Sequence, residues 1–287
     1  MRKLSVLYSV AFFVAGVLAV PGLPQRSSLA QPQKNDWQTL EPGLELGSFV
    51  SPQKSDYGDS VIRVLRFDLR HFQFRLLNAS AEERGHARSV KEWVRRHGLV
   101  AGINASMYQK DNRTSVSYMK TGPHVNSSWV SKDKTILAFD PWDQTLPPAM
   151  IIDRDCEDFD RLRKQFQSLI QSIRMISCQR ENVWSQQTKK WSTAAIGRDG
   201  KGRFLFIHVR SPYTTHDLIN HLLDLPIDLR RAMYVEGGKD AQLYIHSETR
   251  EFEFVGSYST GSNENDENRY AWPVPNVLGI ARVPGSR

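Results

Sequence analysis

The chain has 287 residues, 40% of them hydrophobic and 24% charged, the usage of an ordinary globular protein, which argues against both a disordered chain and a multispanning membrane protein. Its net charge of +7 is distributed along the sequence and lacks the dense basic patch of a nucleic-acid binder, so no nucleic-acid partner is expected. At this length a sizeable core can be buried.

Arg2 and Lys3 precede an uncharged apolar stretch over 4–20 that Pro21 and Gly22 interrupt. This is the pattern of a secretory signal, with small residues for cleavage after Ser28-Leu29-Ala30 and a competing site after Val17-Leu18-Ala19. Residues 1–30 are assigned to export, the alternative being an uncleaved membrane anchor. Cleavage removes Arg2, Lys3 and Arg26, leaving 35 basic residues against 31 acids, a net +4. That mild balance suits an anionic small substrate or an acidic envelope polymer. The mature chain is expected in the periplasm or outside the cell, with no stable membrane span.

Residues 31–59 read as a linker and a first strand, "LELGSFV" (44–50). "VIRVLRFDL" (61–69) and "FQFRLLN" (72–78) continue a β meander. Over 87–98 the spacing of Val90, Trp93 and Val94 predicts an amphipathic helix, with Gly98 as its C-cap. "LVAGIN" (99–104) then reads as a buried strand that ends at Asn104. A loop-rich span runs to about 148, with a strand over 135–140.

Phe159, Leu162, Phe166, Leu169 and Ile173 recur at helical spacing behind acids at 157, 158 and 160, which predicts a second helix over 157–172. Strands follow over 173–178, 192–197 and 203–209, the last two joined by a hairpin at "GRDGKG". A third helix over 215–225, capped by Thr214 or Thr215 and stopped by Pro226, precedes strands over 231–235, 241–246, 251–256 and 276–283. Residues 256–273 read as a long, polar, mobile loop. Strands outnumber helices about three to one and no repeat is present, so the fold class is α+β: a single domain with a mixed, mostly antiparallel sheet and a few scattered helices.

Cys156 and Cys178 are the only cysteines. In an oxidising compartment they form one disulfide, the alternative being two buried thiols. No His lies at ligand spacing from either, so no metal site is expected. Gly-x-Ser-x-Gly, His-Glu-x-x-His and Walker motifs are all absent, which sets aside the serine-hydrolase, zinc-protease and nucleotide-binding readings.

"YVEGGKDAQLYI" (234–245) places an acid and two glycines between apolar runs. Either Gly237-Gly238 closes a two-residue hairpin and Glu236 is a solvated neighbour, or the glycines admit a ligand close to the backbone and Glu236 is a working acid at a strand end. The segment 102–128 poses the same choice. It crowds Asn104, Tyr108, Lys120, His124 and Asn126 into turn-rich sequence that is either a polar surface loop or a set of ligand donors.

An apolar strand ending "INASMY", a central "RMISCQRENVW", the "TAAIGRDGKGRFLFIHV" hairpin and a late strand ending in acid-Gly-Gly together resemble the phosphodiester glycosidase family over about residues 60–282, which assigns 60–287 to a domain of that type. The resemblance implies hydrolysis of the bond between a sugar anomeric carbon and a phosphodiester oxygen, with a sugar-phosphate or glycan substrate and no cofactor. Asn104 and Tyr108 match the family's Asn-Gly-Gly-Phe-type motif, Glu236-Gly237-Gly238 its Asp-Gly-Gly, and Thr193 a Thr that an Arg often precedes. The chain departs from the pattern at Ala105-Ser106, at Ser192 and at Lys239-Asp240-Ala241, where the family has Gly-Ser-Ser.

On that basis Glu236 is the catalytic carboxylate, as nucleophile or as base for water, and Asn104 orients substrate or water. Lys120, His124, Arg180 and Arg210 are candidate phosphate clamps, and Tyr108, Asn126, Thr193, Gly237 and Gly238 complete the substrate-binding set. The alternative is a non-catalytic glycan-binding or scaffold protein on the same fold.

Overall fold

The computed structural model describes residues 36–83 and 85–285. The export signal expected over 1–30 and the start of the expected linker lie outside the described residues. Sixteen strands are present among them. The first half of the chain gives β1 (Asp36–Glu41), β2 (Leu44–Val50), β3 (Val61–Phe67), β4 (Phe72–Asn78), helix α1 (Val90–Arg96), β5 (Ala101–Asn104), β6 (Met119–Thr121), β7 (His124–Ser127), β8 (Thr135–Pro141) and β9 (Ala149–Asp153). The second half gives α2 (Phe159–Leu162), β10 (Phe166–Ile176), β11 (Trp191–Asp199), β12 (Phe204–Tyr213), α3 (Thr215–Asp224), β13 (Leu229–Gly237), β14 (Gln242–His246), β15 (Glu251–Val255) and β16 (Asn276–Arg282).

These strands build two sheets. The larger runs β1-β2-β3-β12-β11-β13-β10-β6-β7, with β8 and β9 joined through β10, and the smaller runs β15-β14-β5-β16-β4. The core lies between them. Phe67, Phe204, Phe206, Met233 and Val235 of the larger sheet meet Phe74, Ile103, Leu243, Leu278 and Ile280 of the smaller. Burial of so many aromatic and branched side chains, each contributing about 1.5–3 kcal/mol, holds the two layers together.

Helices cover both outer faces. Leu218, Ile219 and Leu222 of α3 cover Ile207, Val209 and Ala195 of the larger sheet; Val90, Trp93 and Val94 of α1 cover Tyr244 and Val277 of the smaller. A capping box between Ser89 and Glu92 starts α1, and Gly98 at φ +60° lets the chain turn straight into β5. No helix among the described residues is long and apolar enough to cross a membrane.

Three expectations are corrected. Every strand pairing among the described residues is antiparallel, so the fold is dominated by antiparallel sheets and is not a mixed sheet. The second helix shrinks to the single turn of α2, and Phe166, Leu169 and Ile173 belong to the eleven-residue strand β10. That strand pairs with β8, β6 and β13 and is buried on both faces, so its continuous apolar run imitates a helical stripe. The loop over 256–273 is tied down: Arg210 donates to the carbonyls of Val255, Asp266 and Asn268, and Ser192 Oγ accepts from the amides of Ser257 and Tyr258.

Candidate active site at the β13–β14 crossover

The chain passes from the larger sheet to the smaller one at Glu236-Gly237-Gly238. In the register of β13 with β11, Tyr234 lies opposite Ala195 and Glu236 opposite Ala194, which leaves Val235 as an inserted residue. A bulge of this kind re-aims the side chains beside it. After Gly237 the backbone enters a 3-10 turn over Gly238–Asp240 and emerges as β14 in the other sheet. The two glycines therefore do not close a hairpin, since β13 and β14 do not pair. Gly238 sits at φ +66°, and a Cβ at Gly237 would fall 1.9 Å from the Tyr234 hydroxyl, so both positions need glycine for stated steric reasons.

Asn104 meets this crossover from the end of β5. Its Nδ2 donates to the Asp240 carbonyl at 2.9 Å and its Oδ1 accepts from the Gln242 amide at 2.7 Å, so one fully buried amide brackets the turn. Two strand ends separated by 132 positions in sequence, 104 and 236, thus share one junction. Tyr108 joins them: its hydroxyl donates to the Asp240 carboxylate, and the charges of Asp240 and Glu236 both act on it. Burial and those two acids hold the phenol well above its usual range.

Glu236 is 9% exposed, and the one hydrogen bond its carboxylate accepts among the described residues is from the adjoining Gly237 amide, at 2.9 Å. Desolvation, reinforced by the nearby Asp240 charge and only partly offset by that amide, pushes its pKa up to about 8. Asp240 is likewise raised by burial, with Lys239 and the Tyr108 hydroxyl opposing the rise. Two carboxyl groups thus share one low-dielectric junction, and burial raises the proton affinity of both. Thr193, opposite Gly237 in the register, is buried and its Oγ1 has no partner among the described residues.

The remaining candidates disperse. Lys120 lies opposite Leu169 on β10, four residues before Ile173, which faces Tyr234; along a strand that is roughly 13 Å. His124 contacts Ser80 Oγ at 2.8 Å through Nε2, and burial lowers its pKa. Asn126 accepts from the Ser115 amide and donates to Ser80 and the Arg113 carbonyl, so both residues belong to a polar cluster that Asn276 completes and that adjoins the crossover, since Ser115 pairs with Tyr108 and the Asn276 carbonyl accepts from the Ala105 amide. Arg180 donates to the Leu229 and Leu223 carbonyls. Since Leu229 opens β13 and Glu236 lies near its other end, Arg180 stands roughly 20 Å from the crossover. The Arg210 guanidinium is spent on the loop over 256–268, where Asp266 also pairs with it at 2.6 Å.

Asp240 is the residue that sequence reasoning passed over. The available signal was an acid four positions after Glu236 in a glycine-bearing crossover, and it was masked because the resemblance matched 239–241 to small residues. Cys156 and Cys178 are disulfide-bonded with Cα atoms 6.6 Å apart. They form with Asp153 the grouping among the described residues whose ligand atoms are near enough to hold a metal, but sulfurs bonded to each other supply no thiolate, and Asp153 is already paired with Arg174, so the residues do not fit one.

The family model described as phosphodiester glycosidase matches residues 97–281, a span that contains Asn104, Tyr108, Glu236 and Asp240. No curated protein sequence matches significantly. Among solved structures the chain is similar to the catalytic domain of zebrafish N-acetylglucosamine-1-phosphodiester alpha-N-acetylglucosaminidase, auto-inhibited by its pro-peptide, at a TM-score of 0.58 and 14% identity over 87% of each chain. It is also similar to a hypothetical protein from Synechocystis, at a TM-score of 0.55 and 11% identity over 88% of this chain and 64% of that one. At these identities the likeness is one of fold.

Proposed function

Because this chain belongs to the phosphodiester glycosidase family, we propose that it hydrolyses a glycosyl-1-phosphodiester at the β13–β14 crossover, with Glu236 as the general base. The observation that carries this reading is a buried carboxyl, poorly solvated and raised to about 8, sharing a junction with Asp240, Tyr108 and Asn104. An acid with so high an affinity for protons is a strong base once ionised. It takes a proton from water as the water oxygen bonds to the anomeric carbon. The C1–O bond breaks with its electron pair going to the phosphomonoester, a stable leaving group that needs no proton from the protein. Asn104 acts as a positioning residue, since both of its amide atoms hold the turn that carries Asp240.

The substrate class follows the family, and N-acetylglucosamine-1-phosphodiester, named for the zebrafish enzyme, is the first compound to test. Release of free sugar from it by the wild-type chain, with loss of about 10³-fold in Glu236→Gln, supports the reading; release that survives the substitution contradicts it. An exported setting, periplasmic or extracellular, accords with the Cys156–Cys178 bond, because structural disulfides persist in oxidising compartments. A binding or scaffold role without turnover is favoured by one observation: Arg180 and Arg210, expected to clamp phosphate, are engaged with backbone carbonyls. Sugar-phosphate binding without release would establish it.

A further inference from the structure

At the end of β11 and β13 away from the crossover, the β11–β12 hairpin "GRDGKGR" (197–203) gathers charge for which the hydrolytic reading has no use. Arg198 and Arg231 are direct partners in the antiparallel register of β11 with β13. Two cationic side chains therefore leave the sheet on one face, and like charges so placed repel. Arg231 is relieved, since it donates to both oxygens of the Glu157 carboxylate, at 2.6 and 3.0 Å, and to the Ile151 carbonyl. Arg198 is not. Among the described residues it forms no ion pair, and its Nε is buried without a hydrogen-bond partner, a costly state for a charged donor.

Arg198 lines a pocket of about 300 Å³ together with Asp199, Gly200, Gly202, Arg230 and Arg231. The two glycines leave the guanidinium groups their room: a Cβ at Gly202 would stand 3.3 Å from Arg198 Nη2, and one at Gly200 3.0 Å from Arg230 Nε. The acids around the pocket are held by other cations, Asp199 by Arg203 at 2.8 Å, Asp228 by Arg230 at 2.8 Å and Glu157 by Arg231 at 2.6 Å. Asp199 is further occupied by the amides of Lys201 and Arg203. Each nearby carboxylate thus has its own partner, and Arg198 is left over.

We propose that this pocket binds a phosphate-type oxyanion, with Arg198 donating to it and Arg230 and Arg231 sharing its charge. A planar guanidinium matches the oxygen spacing of a phosphoryl group. A phosphate carrying up to about two negative charges also answers the repulsion between Arg198 and Arg231 better than a singly charged carboxylate does. Arg231 precedes Glu236 by five positions on β13, roughly 16 Å along the strand. The pocket is therefore separate from the crossover, and the inference stands whether or not the crossover is catalytic. Its ligand is either free phosphate or a phosphate group carried on an anionic polymer.

The test is calorimetric titration of the full chain with two probes, inorganic phosphate and a linear inorganic polyphosphate. Arg198→Ala is expected to weaken both about tenfold, and Arg198→Lys to recover only part of the loss, because an ammonium lacks the fork. Lys54→Ala serves as the control for net charge: Lys54 is exposed, and its neighbour Ser55 is bonded to Pro212 at the other end of β12. It is expected to bind both probes within about twofold of the wild type. A melting scan guards against misfolding. Phosphate should raise the wild-type melting temperature and leave that of Arg198→Ala unmoved, while without phosphate the variant should melt no lower than the wild type, having lost a repulsive charge. Tighter binding of polyphosphate per phosphate group assigns the pocket to a phosphate-bearing polymer, and equal binding assigns it to the free ion. Absence of saturable binding by either probe, or equal losses in Arg198→Ala and Lys54→Ala, overturns the site.

Discussion

Asp153 and Glu236 are both acids sealed near a strand end, and their surroundings differ in every respect that matters to charge. Asp153, 2% exposed, accepts from Arg174 at 2.7 Å and from the amides of Asp155 and Cys178, beside the disulfide. Among the described residues Glu236 has no cation against it, a single amide from its own neighbour, and a second acid nearby. A buried charge that is neutralised holds the fold in place, whereas one left without a counter-charge stores an affinity for protons that chemistry can use. The disulfide edge is therefore structural, and the crossover is where stability has been given up.

The largest effect follows from removing the unneutralised charge. Glu236→Gln is expected to cut sugar release about 10³-fold and yet to stabilise the protein. The sign is fixed by the pKa: folded Glu236 titrates near 8 against an ordinary value of 4.5, so its contribution to stability is fully present below 4.5 and is lost as pH rises through 8. Melting temperatures of wild type and variant should converge in acid and separate toward alkaline pH, with the glutamine form higher. The mirror experiment, Asp153→Asn, should cost about 3 kcal/mol in a urea titration, because Arg174 loses a buried partner, while turnover per folded molecule is unchanged.

Smaller effects sharpen the contrast. Replacing Cys156 and Cys178 with serine should lower stability by about 3 kcal/mol and leave the pH dependence of turnover where it was. Asp240→Asn should move the alkaline rise in kcat/KM toward lower pH, since it removes the like charge that adds to the effect of burial on Glu236.

Much of the fold was legible. Strands at 44–50 and 72–78 and the start of α3 at Thr214 follow from alternation, β-branching and capping chemistry. Where a strand is buried on both faces, as over 166–176, periodicity carries no information, and the reading there went to the wrong element. The β1, β6, β7 and β9 strands are short or polar enough to leave no pattern. Within the candidate site the split is similar: Glu236, Asn104 and Tyr108 announce themselves by motif, but Asp240 does so only once the crossover folds over them. Whether a given cation is free also depends on the finished structure. Arg180 and Arg210 look available in sequence and are bound to carbonyls, whereas Lys239, passed over as a departure from pattern, has its ammonium over the Trp272 ring with the Asp240 charge near it.

The most direct test of the central claim is the pH profile of free-sugar release from N-acetylglucosamine-1-phosphodiester by the wild-type chain, with Glu236→Gln measured alongside. A rate that climbs through about pH 8 to a plateau in the wild type, and stays flat at background in the variant, is the predicted result. A wild-type profile with no inflection near that pH, or a variant that keeps the same climb, would contradict the assignment of Glu236 as the base.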